Sequence, residues 1–154
     1  MNIELISKPT FSVIGREGST ADGEGFVQQL WAEANAHFDE VAHLAKRDEN
    51  GVPVGFWGAM TDCSRAFRPW EDGFSRGLYL AGVECADDAV APEGWVKWTI
   101  PGFEYLRAEC VSPTLFGDML AYLAERNMEL AGAVQDFTDP KTRRSYMYFP
   151  IRRQ

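Results

Sequence analysis

The sequence predicts an α+β protein: duplicated strand–helix–strand–strand units forming an antiparallel sheet, with two long helices on one face. Three observations predict it. Two segments carry apolar residues three and four apart, the period of an amphipathic helix. The other apolar segments are short and bounded by Gly, Pro, Asn and Asp, as strands are. The elements also come in the order strand, helix, strand, strand, twice over. With 154 residues and no low-complexity tract or long linker, the chain reads as a single domain, 1–154.

In the first unit, residues 9–15 read as a strand ending in a glycine-rich turn. A helix follows over about 25–46. Its stripe is Phe26, Val27, Leu30, Trp31, Ala34, Phe38, Val41 and Leu44, and Asp22 or Thr20 is placed to cap its start. Asn50-Gly51 supplies the positive backbone angles of a turn. Strands at 54–60 and 77–85 come next, joined by the polar loop 61–75. In the second unit, strands at 95–100 and 104–111 flank a Pro101-Gly102 turn. Ser112-Pro113 opens a helix, a capping hydroxyl followed by proline at the first helical position. Its stripe is Leu115, Phe116, Met119, Leu120 and Leu123, and it ends near Asn127. Strands at 129–137 and 145–151 close the domain across an Asp139-Pro140 turn.

Composition narrows the function. Apolar residues make up 45% of the chain, too many for a disordered protein. No apolar run is long enough to span a membrane, and the N-terminus lacks a signal peptide's basic start and greasy stretch, so a cytoplasmic location is expected. The 23 acids exceed the 15 bases, for a formal charge of −8, which argues against direct binding of nucleic acid. The one basic cluster, Lys141, Arg143, Arg144, Arg152 and Arg153, flanks the last strand and reads as a solvated strand end. Cys63, Cys85 and Cys110 are scattered, as reduced thiols are. No G-x-S-x-G, H-E-x-x-H, Walker or G-x-G-x-x-G string occurs. His37 and His43, six apart on a helix, lie about 240° around it and cannot join Glu40 in a metal site. No metal and no cofactor are expected.

Strand alternation sorts the remaining rings. Met147, Phe149 and Ile151 are assigned to the helix-covered core, and Tyr146 and Tyr148 to the uncovered face. Tyr79, Ala81, Val83 and Cys85 share one side of their strand. Leu78, Leu80, Gly82 and Glu84 share the other, which is placed on the uncovered face. Phe56 or Trp57 must face the same way, and the loop adds Phe67, Trp70 and Phe74. Rings offer π-faces to planar or cationic ligands, and pockets are apolar with a few placed polar groups. Two tyrosines, one or two tryptophans and one carboxylate have that composition. The competing reading is that these rings are core residues and Glu84 sits exposed at a strand end.

Four strings extend this reading: Pro9-Thr10-Phe11-Ser12-Val13-Ile14-Gly15, Gly77-Leu78-Tyr79-Leu80-Ala81-Gly82-Val83-Glu84, Trp98-Thr99-Ile100-Pro101-Gly102-Phe103-Glu104-Tyr105 and Tyr146-Met147-Tyr148-Phe149-Pro150-Ile151. In their order and spacing they resemble the GyrI-like, AraC-type effector-binding domain, also described as SOUL-like, over nearly the whole chain. The resemblance implies pseudo-twofold symmetry and a ligand cleft between the halves, opposite the helices. It implies lipophilic, often cationic ligands held by aromatic walls and buried acids. Glu84 matches the acid of the family's G-x-E string, and Tyr148 the pocket aromatic two before the terminal proline. Tyr146 stands where members often have a glutamate. Many members carry a DNA-binding helix-turn-helix. Here Met1 leads almost directly into the first strand, so a stand-alone binder for drug sensing or sequestration is expected. Its expected ligand-binding set is Phe56, Trp57, Trp70, Glu84, Tyr105, Tyr146 and Tyr148. Two alternatives come with the resemblance. One is a hydrolase of cyclopropane-containing genotoxic natural products with Glu84 as general base and Trp57 or Trp70 as wall. The other is a protein–protein regulator whose partner is gyrase or a separate regulator.

Overall fold

The structure is a computed structural model that describes residues 1–154. Its strands are β1 (Ile3–Lys8), β2 (Phe11–Ser19), β3 (Phe56–Thr61), β4 (Leu78–Cys85), β5 (Val96–Ile100), β6 (Phe103–Glu109), β7 (Gln135–Thr138) and β8 (Ser145–Arg153). The two main helices are α1 (Phe26–Ala36) and α2 (Leu115–Glu125). All eight strands form one antiparallel sheet in the order β1-β6-β8-β7-β3-β4-β2-β5. The units β2-α1-β3-β4 and β6-α2-β7-β8 meet at the β3–β7 pair, and the order reads alike from either edge. The leading strands are exchanged: β1 pairs with β6 and β5 pairs with β2. Each unit therefore completes the other's sheet, which ties the halves into one domain.

Both helices lie on the same face. α1 packs Leu30 and Ala34 on Ile14, Ala81 and Val83. α2 packs Leu115, Met119 and Leu123 on Ala108 and Phe149. The other face is concave and holds a third cluster, including Phe11, Trp57, Leu80, Trp98, Tyr105 and Tyr148. At the opposed pair Gly15–Gly82, a Cβ on either residue would lie 2.3 or 2.2 Å from the partner strand's carbonyl oxygen. Only glycine permits that approach.

Four elements differ from the sequence reading. The first strand, Ile3–Lys8, was not expected: its alternation is broken, and Leu5 is 61% exposed. Backbone pairing to a remote strand, Ile3 opposite Ala108, holds it in place. The first helix ends at Ala36 rather than near Lys46, and two 3₁₀ turns follow, Phe38–Glu40 and Ala42–Leu44. Phe38, Val41 and Leu44 recur every third residue, the 3₁₀ period rather than the α period. Ser19 and Asp22 form a capping box on a short 3₁₀ turn, while α1 itself starts after Gly25 in the left-handed region (φ 79°). The seventh strand begins at Gln135, not Glu129. The basic residues at the end of the chain are partly tied down, Lys141 to Asp48 at 2.8 Å and Arg152 to Glu104. The three cysteines are free, and no helix is long and apolar enough to cross a membrane.

Candidate functional site

The concave face gathers rings around Trp57. Its ring centroid lies 4.8 Å from that of Phe11, 4.7 Å from Phe137 and 5.1 Å from Tyr148. Tyr148 in turn lies 5.3 Å from Tyr105, and Phe137 lies 6.2 Å from Tyr146. All are tilted or edge-on contacts, the arrangements aromatic quadrupoles favour. Strand parity places them: Trp57, Glu84, Tyr146 and Tyr148 all point away from the helices, as expected.

Glu84 is the buried acid of this face. Its Oε1 accepts from the Trp57 indole Nε1 at 3.0 Å. The Lys8 ammonium lies 3.2 Å from Oε1 and 3.3 Å from Oε2. The same ammonium is 4.4 Å from the Phe11 ring centroid and 5.5 Å from that of Trp57. A buried carboxylate and two ring faces thus surround one cation. At the other end of the cluster, the Arg107 guanidinium stacks on Tyr146 at 4.8 Å and donates to the Tyr148 hydroxyl at 3.3 Å. Burial pushes the Tyr148 phenol up despite that guanidinium. The Tyr105 hydroxyl is buried with no partner, and its burial raises its pKa as well. An unpaired buried hydroxyl is costly and has an unused hydrogen bond to offer.

A cover closes this face. Phe67 sits edge-on to Trp98 at 6.1 Å, and its carbonyl accepts from Ala133 N–H at 2.9 Å. Asp62 organises the cover by accepting from Thr61 Oγ1 at 3.0 Å, the N–H groups of Ala66 and Arg68, and the Ser64 hydroxyl. Burial works to raise the Asp62 pKa, but the bonds from Ser64, Arg68, Thr61 and Ala66 outweigh it and hold it at about 2. Arg65 latches the segment to Glu17, which also accepts from Trp98 Nε1 at 2.7 Å. Arg65 and Phe67 of the cover, and Asp72 and Phe74 beyond it, all have positive φ, between 53° and 64°. Such residues each cost about 1–2 kcal/mol, so the cover is held under strain.

Two expected site residues lie elsewhere. Phe56 points to the helix face, edge-on to Phe38 at 5.8 Å, because the adjacent Trp57 takes the concave side. Trp70 lies flat against Gly77, where a Cβ would come within 2.1 Å of its ring. Its Nε1 donates to Leu78 O at 3.0 Å, and it lines a helix-face cavity with Phe74 and Phe116. Tyr105 does join the cluster. The concave face itself is filled by its own rings: none of the three cavities is lined by Trp57, Glu84 or Tyr148. Sequence reasoning missed Phe11, Phe137 and Lys8. Phe11 had a signal, since Pro9-Thr10-Phe11 and Pro101-Gly102-Phe103 are matching entries into β2 and β6. Lys8 had none.

The architecture, one eight-stranded antiparallel sheet with two long helices on one face, is a fold shared with several solved structures. No family model matches the chain, and no curated protein matches its sequence. Solved structures do match its shape. The structure of SAV2435 bound to tetraphenylphosphonium has a TM-score of 0.66 at 14% identity, over 99% of this chain and 94% of that one. The EcmrR C-terminal domain has a TM-score of 0.62 at 9% identity, over 99% and 98%. A bacterial transcription regulation protein from Staphylococcus aureus MU50 has 0.61 at 14% identity, over 99% of each chain. At these identities the likeness is one of fold.

Proposed function

We propose that the protein binds small lipophilic cations at the concave cluster, for sensing or sequestration. Glu84 is the counter-ion, and Phe11, Trp57, Tyr105, Tyr146 and Tyr148 form the wall. One observation carries this reading: the seat already holds a cation, the Lys8 ammonium, between Glu84 and the rings of Phe11 and Trp57. A cation over a desolvated ring gains up to about 2 kcal/mol, and a buried carboxylate adds charge complementarity. SAV2435, of the same fold, carries a tetraphenylphosphonium, which supports the ligand class.

Binding then requires two displacements. Lys8 swings outward on its flexible stem; its side chain is already 23% exposed, against 5% for Glu84. Phe67 lifts with the strained cover and opens the face. The hydrolase alternative uses the same acid less well. Lys8 and Trp57 engage both Glu84 oxygens, an arrangement suited to pairing charge rather than to taking a proton from water.

The test is titration with tetraphenylphosphonium, followed by calorimetry and tryptophan fluorescence. Saturable binding is expected in the wild type, weaker by at least tenfold in Glu84→Gln and reduced in Trp57→Phe. No saturable binding in either wild type or Lys8→Met would remove the proposal.

A further inference from the structure

A second acid lies on the opposite face, and the concave cluster makes no use of it. α1 stands over β2 and β4, and α2 over β6 and β8, which leaves the centres of β3 and β7 bare between the helices. A cavity of about 400 Å³ opens there, within the usual range for small-molecule sites. Gly58 and Asp136, opposed across the β3–β7 pair, line it together with Trp31, Tyr79, Cys110 and Met147.

Several features show a shaped site. A Cβ at position 58 would lie 1.9 Å from the Tyr79 hydroxyl and 3.2 Å from the Asp136 Cβ. Glycine there lets the Tyr79 ring cross β3 and bring its hydroxyl toward Asp136. Trp31 Nε1 donates to that hydroxyl at 2.9 Å, so the phenol proton is left free to be donated elsewhere. Thr138 and Ser145, with hydroxyls 3.1 Å apart, add polar groups at the rim. The Asp136 carboxylate takes part in no ion pair, and burial alone pushes its pKa up to about 7. The other titratable groups lining the cavity are Tyr79 and Cys110, both raised by burial, and Tyr146; no Lys, Arg or His lines it.

A half-buried acid without a partner, beside a hydroxyl and under an indole, lacks a cation with hydrogen-bond donors. We propose that this cavity is a second binding site, specific for protonated aromatic amines. The ammonium is bonded to the Asp136 carboxylate and the Tyr79 hydroxyl, and the ring is packed against Trp31 and Met147. A primary ammonium has three donors to give, which a phosphonium lacks, so the two faces select different cations.

Calorimetric titration with 2-phenylethylamine tests this. Wild type is expected to bind one equivalent at pH 8, and about tenfold more weakly at pH 6, where most Asp136 is protonated. Asp136→Asn is expected to abolish binding and Tyr79→Phe to weaken it severalfold, both melting as cooperatively as wild type. Glu84→Gln is expected to bind the amine normally, which separates this site from the concave one. The proposal is overturned if wild type does not bind at pH 8, or if Asp136→Asn binds equally well. It is also overturned if Glu84→Gln, rather than Asp136→Asn, loses the amine.

Discussion

Lys8→Met removes the ammonium from the Glu84 seat and leaves a straight side chain of similar length. Breaking a fully buried ion pair costs about 3–5 kcal/mol, and an exposed one about 0–1. With Lys8 at 23% and Glu84 at 5% side-chain exposure, this pair falls between, at about 2 kcal/mol. The carboxylate keeps only the Trp57 indole as donor. In a chain of this size, about 2 kcal/mol lowers Tm by roughly 4–8 °C. The same free energy then acts in the opposite direction on ligand binding. A cation entering wild type must break the Lys8 pair, whereas in Lys8→Met it restores what is missing. Tetraphenylphosphonium is therefore expected to bind the variant about 30-fold more tightly, and to raise its Tm more than that of wild type at equal concentration. Thermal melts with and without the phosphonium, together with calorimetry, read both effects. A variant with unchanged Tm and unchanged or weaker affinity would refute the claim that Lys8 occupies the ligand's place.

Three further outcomes follow from the structure. The Asp136 pKa is raised to about 7 in the fold, so the folded state prefers the protonated acid; stability falls as pH rises from about 4 to about 7 and then levels off. Asp136→Asn is expected to be more stable than wild type at pH 8, by a few kcal/mol, and little different at pH 4, as measured by urea unfolding. Asp62 titrates in the other direction: its contribution is complete above about pH 4 and is lost as pH falls toward about 2. Asp62→Asn should loosen the cover and speed tryptic cleavage after Arg65, with the wild-type rate in the variant as the contrary result. Gly58→Ala drives a methyl group into the Tyr79 hydroxyl and should cost about 1–3 kcal/mol in chemical denaturation.

The elements and faces were legible because their signals are local. A helix stripe repeats within four residues and a strand face within two, so alternation alone placed Glu84, Tyr146 and Tyr148 on one side of the sheet. The same rule left Phe56 and Trp57 undecided, since parity says that neighbours oppose without saying which one faces the helices. Trp70 was misplaced because a loop has no period, and its path depends on four left-handed backbone positions that the residue types do not announce. The α-to-3₁₀ change after Ala36 was written in the spacing of Phe38, Val41 and Leu44, and needed only to be counted in threes.

By itself, the sequence determined the fold class, the two amphipathic helices and that Tyr146 and Tyr148 share a face with Glu84. Only the tertiary structure decided that β1 crosses to the other half and sets Lys8 against Glu84, 76 residues away. It also decided that the concave face is packed shut, and that Asp136 lies unpaired between the helices. The reason is physical. Periodicity records what each residue needs from its near neighbours. Which distant groups meet is set by the closing of the sheet, and no window of sequence contains both partners.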